Sequence, residues 1–364
     1  MGEVAEFSKG QGYSKADLCS SGIPAFLYGQ MYTDYKLLVT ESDQHLPQNS
    51  DGVFSTAGDV IIPASGESPE EIAIASVIGK TGILLGGDLN IIKPEKSILD
   101  SIFLALSASG GRLHGSLVSR AQGKTIVHLH NSDIAASQIR YPTLPEQRRI
   151  GTFFSALDSL IAAAERQEAL LKQKKQAYLQ LMFPQEGETE PRLRFAGFSG
   201  EWETRQLGEV AEVHNGRDYK HLQPGNIPVY GTSGYMLSVD DALSWNDDAV
   251  GIGRKGTIDK PCILRAPFWT VDTLFFVTPR PSTPLEFLFA LFESVNWKSK
   301  DESTGVPSLT KQAIVNTAVK VPDTSEQHQI GVFFTQIDNI IAIAEEQAKA
   351  LRAMKRAYSQ RMFI

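Results

Sequence analysis

The side chains best suited to chemistry in this sequence lie in short polar stretches flanked by glycine. Two of these stretches begin alike, GEVAEFSKGQGYSK from Gly2 and GEVAEVHNGRDYKH from Gly208. Asn and Gln can pair with adenine, Arg and Lys with guanine, and Tyr, Ser and Thr with phosphates or base edges. The residues that we predict to contact DNA are Lys9, Gln11, Tyr13, Lys15, Tyr28, Gln30, Tyr32, Arg120, Lys124, Asn215, Arg217, Tyr219, Lys220, Ser233, Tyr235, Arg254, Lys255, Thr304, Ser308 and Lys311. Any one of them is explained more simply by an ordinary polar turn, so the prediction depends on their recurrence at matching places in both halves.

The stretch GIGRKG, Gly251 to Gly256, carries the three glycines of a dinucleotide-binding loop. Pro261 follows five residues later, so no helix can begin there to hold a pyrophosphate. Two interpretations of this loop stay open: a tight turn after a strand, or a loop whose glycines let Arg254 and Lys255 approach phosphates or guanine edges. GKT from Gly79 is not a phosphate loop either, because Ile74 stands where that motif needs glycine.

Catalytic and metal-binding patterns are absent from the sequence. His128 and His130 alternate onto one face of a predicted strand, but no acidic or Cys partner completes a metal site, which favours structural histidines. Cys19 and Cys262 lack metal-ligand spacing, and we expect them to be buried free thiols. The chain has no Asn-Pro-Pro-aromatic stretch, no paired nuclease carboxylates followed by lysine and no nucleophile elbow. We therefore predict no catalytic residue and no metal.

Length and charge narrow the class of protein. A chain of 364 residues exceeds one comfortable core and indicates at least two domains. Its net charge of −7 argues against a simple polybasic nucleic-acid binder. Only the stretches 145–183 and 325–364 carry more basic than acidic residues. No apolar run is long enough to span a bilayer and no secretory signal is visible, so we expect a cytoplasmic protein.

The two basic stretches are copies of each other. Residues 145–183 align with 325–363 without a gap, and roughly half of the positions are identical. The segments in front of them also begin alike and converge again at SDIAASQIRYP and KQAIVNTAVKVP, although the first holds an insertion of about 26 residues. The repeating unit is thus a globular segment followed by a long helix.

Both helices carry a heptad pattern. With Ile150 and Ile330 as position a, the a series continues through Leu157, Ala164, Leu171 and Tyr178 and through Ile337, Ala344, Leu351 and Tyr358, and position d opens with Phe153 and Leu160 and with Phe333 and Ile340. An antiparallel pairing would place Ile150 near Tyr358 and Tyr178 near Ile330. The residues that we assign to the spacer or to partner binding are Phe153, Leu157, Leu171, Tyr178, Phe333, Ile337, Leu351 and Tyr358. The alternative is two amphipathic helices that merely pack on their own domains.

We predict an α+β protein of two globular domains, each a curved sheet with a few helices. The short β-like runs, punctuated by Gly and Pro, are DVIIPAS, TGILLGG, KTIVHLH, AVGIGRKG, LFFVTP and NTAVKVP, and the helical stretches are SILDSIFLALSAS and PLEFLFALFESV. Two long antiparallel coiled-coil helices would join the domains in a pseudo-twofold arrangement. The predicted boundaries are 1–144 for the first domain, 145–183 for the first spacer helix, 184–199 for a linker with a flexible acidic start, 200–324 for the second domain and 325–364 for the second spacer helix.

Several stretches together resemble one known family over nearly the whole chain. They are LPEQRRIGTFFSALDSLI and TSEQHQIGVFFTQIDNII, the endings QAYLQLMFP and RAYSQRMFI, the stretch LRFAGFSGEWETRQLGEV, and IGRKGTIDK followed by PFWTVDTLFFV. In this combination the chain resembles the specificity (S) subunit of type I restriction-modification enzymes. One departure is that the first half starts directly at MGEVAE, without a stretch such as GFSGEWETRQL. The N-terminal strand would then be shortened or supported by a partner.

The resemblance implies a non-catalytic subunit in which each globular segment is a target recognition domain that reads one half of a split double-stranded DNA site. It implies that the helices act as a spacer that docks two methyltransferase subunits, and that motor and nuclease restriction subunits join them. S-adenosylmethionine, ATP and magnesium would be used by these partners, with no cofactor bound by this chain. The alternative from another class is a coiled-coil scaffold for protein partners without direct DNA readout.

Overall fold

A computed structural model describes residues 1–301 and 303–363, in two compact units. Unit 1 comprises Met1–Ala164 and the segment that begins at Glu346, and unit 2 comprises Glu165–Glu345. Two residues of the predicted domains, Glu302 in the second recognition domain and Ile364 in the second spacer helix, lie outside the described residues.

Unit 1 is built on a five-stranded sheet with two smaller sheets beside it. Its strands are β1 (Ala5–Lys9), β2 (Ile23–Phe26), β3 (Leu38–Val39), β4 (Gln44–Leu46), β5 (Asp59–Pro63), β6 (Ser65–Gly66), β7 (Ser76–Ile78), β8 (Leu84–Leu85), β9 (Leu89–Pro94) and β10 (Val127–His128). The sheet orders are β1-β9-β5-β7-β3, β4-β2-β8 and β10-β6. The helices are α1 (Gln30–Thr33), α2 (Pro69–Ile72), α3 (Ser101–Ser109), α4 (Gly111–Arg120), α5 (Asn131–Ala136) and the start of α6 (Leu144–Met182), with a 3₁₀ turn at Lys15–Asp17. Every residue of β5 is buried, as its continuous apolar run predicts.

Unit 2 repeats the plan with a four-stranded antiparallel sheet. Its strands are β11 (Glu203–Gln206), β12 (Ala211–Asn215), β13 (Pro224–Gly231), β14 (Gly234–Val239), β15 (Ala249–Gly253), β16 (Cys262–Leu264), β17 (Trp269–Thr270), β18 (Leu274–Pro279) and β19 (Ala318–Val321). The sheet orders are β12-β18-β15-β16, β14-β13-β17 and β11-β19. The helices are α7 (Leu207–Val210), α8 (Leu285–Ser294), α9 (Lys311–Val315) and α10 (Thr324–Met362), with a 3₁₀ turn at Trp297–Lys300.

These elements confirm the predicted α+β class with two globular parts and two long helices. The runs that were expected to form strands at DVIIPAS, AVGIGRKG, LFFVTP and NTAVKVP contain β5, β15, β18 and β19. Both apolar helical stretches are also present, as α3 and α8. One smaller prediction is wrong, because Cys19 is exposed and Cys262 is only half-buried, although burial does raise the pKa of the Cys262 thiol.

Each long helix contributes one part to each unit, and the two parts within a unit run antiparallel. In unit 1 the rings of Phe153 and Tyr358 lie 5.0 Å apart, and Lys355 forms an ion pair with Asp158 at 2.5 Å. In unit 2 the repeat-related rings of Phe333 and Tyr178 lie 5.1 Å apart. There Lys175 pairs with Asp338 at 2.5 Å. The same contacts therefore form in both units, with the roles of the two helices exchanged.

The predicted seam needs two corrections. The residues buried next to position a are Phe154 and Phe334, one residue after the predicted d positions, whereas Leu160 is 56% exposed. Ile150 and Phe154 belong to the hydrophobic core of unit 1, so this face of the helix packs on the domain while Phe153 contacts the other helix. The ring partners of Tyr358 and Tyr178 are Phe153 and Phe333, each three residues later than the predicted Ile150 and Ile330.

Candidate nucleic-acid interface

The predicted contact residues of unit 2 gather where β18 begins. The last residue of β12, Asn215, pairs with Phe275 of β18, and the last residue of β15, Gly253, pairs with Leu274. The polypeptide leaves β12 and β15, the two neighbours of β18, at the same end of the sheet. Arg217 and Arg254, which follow these strands, therefore lie on either side of the turn that leads into β18.

Backbone hydrogen bonds fix the loop that carries Arg254 and Lys255. The Arg254 amide donates to the Thr273 oxygen at 2.8 Å, and the Arg254 oxygen accepts from the Leu309 amide at 2.9 Å. Lys255 forms an isolated bridge with Ser308. The Arg254 guanidinium lies 6.0 Å from the Phe275 ring centre and donates to the main-chain carbonyl oxygen of Asp272 at 3.3 Å. The backbone is held as in a tight turn, while both basic side chains remain exposed.

Close packing also places Arg217. A Cβ at the preceding Gly216 would lie 2.0 Å from the Val271 oxygen, so only glycine fits there. The Arg217 amide donates to the Thr270 oxygen at 2.9 Å, and its oxygen accepts from the Trp269 indole at 2.8 Å. The Arg217 side chain itself is exposed.

The other predicted residues of unit 2 are distributed around these loops. Ser233 and Tyr235 lie at the exposed end of the β13–β14 hairpin, and Lys220, Thr304 and Lys311 are exposed. Tyr219 and Ser308 are half-buried, and Tyr219 packs against the small cluster around Val229 and Trp269. Tyr219 thus supports this face as well as lining it.

Unit 1 has the same arrangement at the start of β9. Lys9, at the end of β1, pairs with Asn90, and Pro63, at the end of β5, pairs with Leu89. A Cβ at Gly10 would lie 1.9 Å from the Gly86 oxygen, which matches the restriction at Gly216. The next residue, Gln11, is exposed and corresponds to Arg217.

Aromatic side chains extend the unit 1 face. The ring centres of Tyr28 and Tyr32 lie 6.4 Å apart, edge to face, and the Tyr32 hydroxyl donates to the Ser65 oxygen at 2.8 Å. Burial of this hydroxyl raises its pKa well above the ordinary value, so it stays a donor. Gln30 is half-buried because its side-chain oxygen accepts from the Leu27 amide at 3.3 Å.

Four predicted residues of unit 1 have different surroundings. Tyr13 is half-buried, has a positive φ of 51° and donates a hydrogen bond from its hydroxyl to the main-chain oxygen of Asp51. Lys15 is exposed in the neighbouring 3₁₀ turn. Lys124 lies in the exposed turn between Gln122 and His128, which form a bridge. Arg120 is the one that the unit 1 face does not include, since it ends α4 and borders a cavity elsewhere in the unit.

The sequence interpretation missed His128 and His130 as members of this face. The Leu129 amide between them donates to the Ala64 oxygen at 3.1 Å, as the Leu309 amide donates to the Arg254 oxygen in unit 2. His128 and His130 therefore correspond to Ser308 and Thr310. Both imidazoles are exposed and stacked, with ring centres 6.2 Å apart and planes 1° apart. His130 also precedes α5, where its amide donates to the Asp133 carboxylate at 3.1 Å. Their constant offset of 180 residues from Ser308 and Thr310 was the available signal.

The chain consists of two duplicated α+β units that share two long helices. Each unit has an exposed polar face at one end of its main sheet, an arrangement that defines a bipartite recognition protein. The chain matches the family described as type I restriction modification DNA specificity domain over residues 1–173 and 199–353, and it belongs to this family. It is therefore the non-catalytic DNA-recognition component of a type I restriction-modification system.

Individual relatives agree with this assignment. The type I restriction enzyme MjaVIII specificity subunit of Methanocaldococcus jannaschii is 23% identical over 343 residues, covering 84% of this chain and 78% of the relative. The crystal structure of the type I S subunit from M. genitalium has the same fold, with a TM-score of 0.70, 15% identity, and coverage of 100% of this chain and 94% of that one. A chain from a study of type I assembly and conformational transition aligns with a TM-score of 0.53 and 16% identity, over 98% of this chain and 96% of the other. Among the described residues no helix is long and apolar enough to cross a membrane.

Proposed function

We propose that unit 1 and unit 2 each read one half of a bipartite double-stranded DNA site. The observation that carries this proposal is the equivalence of the two faces. Both lie at the same end of the main sheet, both follow a position where only glycine fits (Gly10 and Gly216), and both are held by the same main-chain hydrogen bond between loops, yet they present different side chains. Unit 2 offers Arg217, Arg254 and Lys255, whereas unit 1 offers Gln11 and two imidazoles. Different side chains on one framework suit two different half-sites.

Base contacts would supply selectivity more than affinity. The chain carries a net charge of −7, and each face has only a few cations. Phosphate contacts usually supply most of the affinity of a DNA-binding protein. The partner subunits would therefore contribute most of the phosphate contacts, and the chain alone would bind DNA weakly.

The long helices are proposed to dock two methyltransferase subunits, with motor and nuclease subunits joining them. Apolar side chains remain exposed along the helices, among them Leu160, Met354 and Tyr358 in unit 1 and Leu170, Ile340 and Ile343 in unit 2. Exposed apolar residues that form a contiguous patch are typical of an interaction surface, and this proposal requires such a patch along the helices. In this proposal the chain itself binds no cofactor, the partners use S-adenosylmethionine, ATP and magnesium, and the assembly works in the cytoplasm. The predicted domain boundaries remain part of the proposal.

Methylation of genomic DNA tests the function directly. Sequencing modified bases in cells with and without the gene should reveal one split motif that depends on the gene. The purified chain with its methyltransferase should then retard a DNA carrying that motif and release it when either half-site is scrambled. A scaffold without DNA readout would leave the methylated motif unchanged when the gene is exchanged for one with altered recognition loops.

A further inference from the structure

Each polar face carries one exposed aliphatic residue at the same place. Ile126 in unit 1 and Val306 in unit 2 are 58% and 55% exposed, and both side chains are β-branched. They are 180 residues apart, the offset that also relates His128 to Ser308, whereas none of residues 120–125 is identical to its counterpart among 300–305. A single exposed aliphatic residue is ordinary on a protein surface. The same residue type with the same exposure in two otherwise unlike loops is a repeated feature that requires a physical cause.

In unit 1, Ile126 extends the line of exposed side chains that contains the two imidazoles. The intervening residues are buried, so Ile126, His128 and His130 share the exposed side of this segment. The main-chain groups of Gln122 and His128 exchange two hydrogen bonds, at 2.9 Å and 2.7 Å. These hydrogen bonds fix the turn that presents Ile126.

In unit 2, a carboxylate holds the loop that presents Val306. One carboxylate oxygen of Asp301 accepts hydrogen bonds from the amides of Ser303 and Ser308, at 2.9 Å and 3.0 Å. The main-chain oxygen of the residue after Val306 accepts from the Gly256 amide at 2.8 Å. Val306 therefore lies beside the loop that carries the basic side chains of this face.

An aliphatic side chain on a DNA-reading face can recognise only an apolar group, because it has no hydrogen-bond donor or acceptor. The apolar group that a base pair presents in the major groove is the C5-methyl group of thymine. Insertion between base pairs uses longer side chains such as Phe, Leu, Ile or Met, and the valine of this pair has no carbon atom beyond Cγ. A protein partner would require a contiguous apolar patch, whereas polar residues stand two positions before and after both Ile126 and Val306.

We propose that Ile126 and Val306 each contact the C5-methyl group of a thymine in the half-site that their unit reads. This inference rests on the proposed function, because it assigns one kind of base to one residue of each face. The polar side chains beside them would read the hydrogen-bonding edges of neighbouring base pairs. Each half-site should therefore contain at least one A·T pair.

The test replaces single thymines of the methylated motif by deoxyuridine, which removes the methyl group and keeps every hydrogen-bonding group of the base. Binding of each duplex is measured with the full chain in complex with its methyltransferase. We expect one substitution in each half-site to weaken binding about threefold to fivefold, the range expected for the loss of one buried methyl group. Substitution of thymines outside the motif should have no effect.

Two variants separate the contacts. Val306→Ala should reduce the effect of deoxyuridine to less than about twofold in the half-site read by unit 2 and leave it unchanged in the other half-site. Ile126→Ala should show the reverse, so each variant is the control for the other. Ile98→Ala should change neither effect, because Ile98 is 36% exposed and follows the opposite end of β9.

The outcomes distinguish this inference from the proposed function. Selective binding of the full site that is indifferent to every deoxyuridine substitution would overturn the inference and leave the proposed function intact. A half-site without an A·T pair, or an effect of deoxyuridine that persists in both variants, would do the same. Loss of the methyltransferase from purified Ile126→Ala or Val306→Ala complexes would assign these residues to a protein contact instead. Equal binding to unrelated duplexes would overturn the proposed function and the inference together.

Discussion

Glu146 and Glu326 are the same residue at the same position of two repeated helices, yet one is exposed and the other is 1% exposed. In unit 2 the Arg194 guanidinium covers Glu326 and donates to both of its carboxylate oxygens, at 2.7 Å and 2.8 Å. Local sequence identity therefore does not determine the environment of a side chain, because a segment far away in the chain can bury it. The polar faces at the starts of β9 and β18 differ in the opposite way, with one framework and unlike side chains.

The largest effect should come from Trp202, a buried residue of unit 2 that packs on Phe183 and Phe287. We expect Trp202→Ala to lower the free energy of unfolding by about 3–5 kcal/mol, the cost of truncating a buried aromatic residue. Urea denaturation measures the loss, and hydrogen exchange should locate it in unit 2. Trp245→Ala is the matched control, because Trp245 is 54% exposed and its loss should cost less than about 0.5 kcal/mol. Equal losses from both variants would contradict the packing described for Trp202.

The two glutamates give the most direct comparison between the units. Glu326→Ala should destabilise the chain by about 3 kcal/mol, because it breaks a buried, bidentate ion pair with Arg194. Glu146→Ala should change stability by less than about 0.5 kcal/mol, because Glu146 is exposed. Both changes in the free energy of unfolding are measured from the shift of the urea denaturation midpoint, provided that the m value stays constant. Similar values for the two variants would mean that the environments of Glu146 and Glu326 are alike.

The sequence predicted the repeat and the α+β class, because these follow from short-range patterns. Gly10 and Gly216 stand at positions where a neighbouring carbonyl excludes a side chain, and such glycines remain recognisable in two diverged copies. Arg254 follows directly on β15, a strand that the run AVGIGRKG had already predicted.

Features that depend on distant segments could not be predicted in this way. The heptad pattern placed Phe153 and Phe333 at the seam, where each contacts a tyrosine of the other helix, but it did not predict that the domains bury the neighbouring Phe154 and Phe334. A helix that packs partly on a globular domain and partly on another helix satisfies two partners, so no single period describes it. We expected the linker, residues 184–199, to begin with a flexible segment. Instead, the Lys320 ammonium donates to the main-chain oxygen of Glu188, and the Arg194 guanidinium donates to the Glu326 carboxylate.

The recognition faces should be separable by mutation. Arg254→Ala with Lys255→Ala should weaken modification of the full site by about tenfold to hundredfold, the range expected for losing one or two base contacts. His128→Ala with His130→Ala should act on the other half-site. Methylation rates on sites with either half scrambled distinguish the two, because a variant loses sensitivity only to the half-site that it no longer reads. Lys260→Ala, another exposed lysine of unit 2, is the control. Loss of sensitivity to both half-sites from one variant would contradict separate readers.

The smallest expected effect is a pH dependence confined to unit 2. Burial lowers the pKa of His214 below its ordinary value of 6.5; nearby Glu212 opposes the shift, Lys311 adds to it and Asp247 again opposes it. The imidazole lies 4.7 Å from the Phe276 ring centre and 3.0 Å from the Thr278 hydroxyl.

A histidine whose pKa is lower in the folded state contributes stability above the unfolded value, and this contribution is lost as pH falls through the folded pKa. The melting temperature of unit 2 should therefore decrease slightly from pH 7 to pH 5, and His214→Gln should remove that part of the decrease. The counterpart in unit 1 is Ser8, which does not titrate in this range, so unit 1 should lack this contribution. His221→Gln serves as the control, since His221 is exposed. An unchanged pH slope in His214→Gln would show that acid acts on unit 2 through other groups, and that the histidine serves only to pack against Phe276.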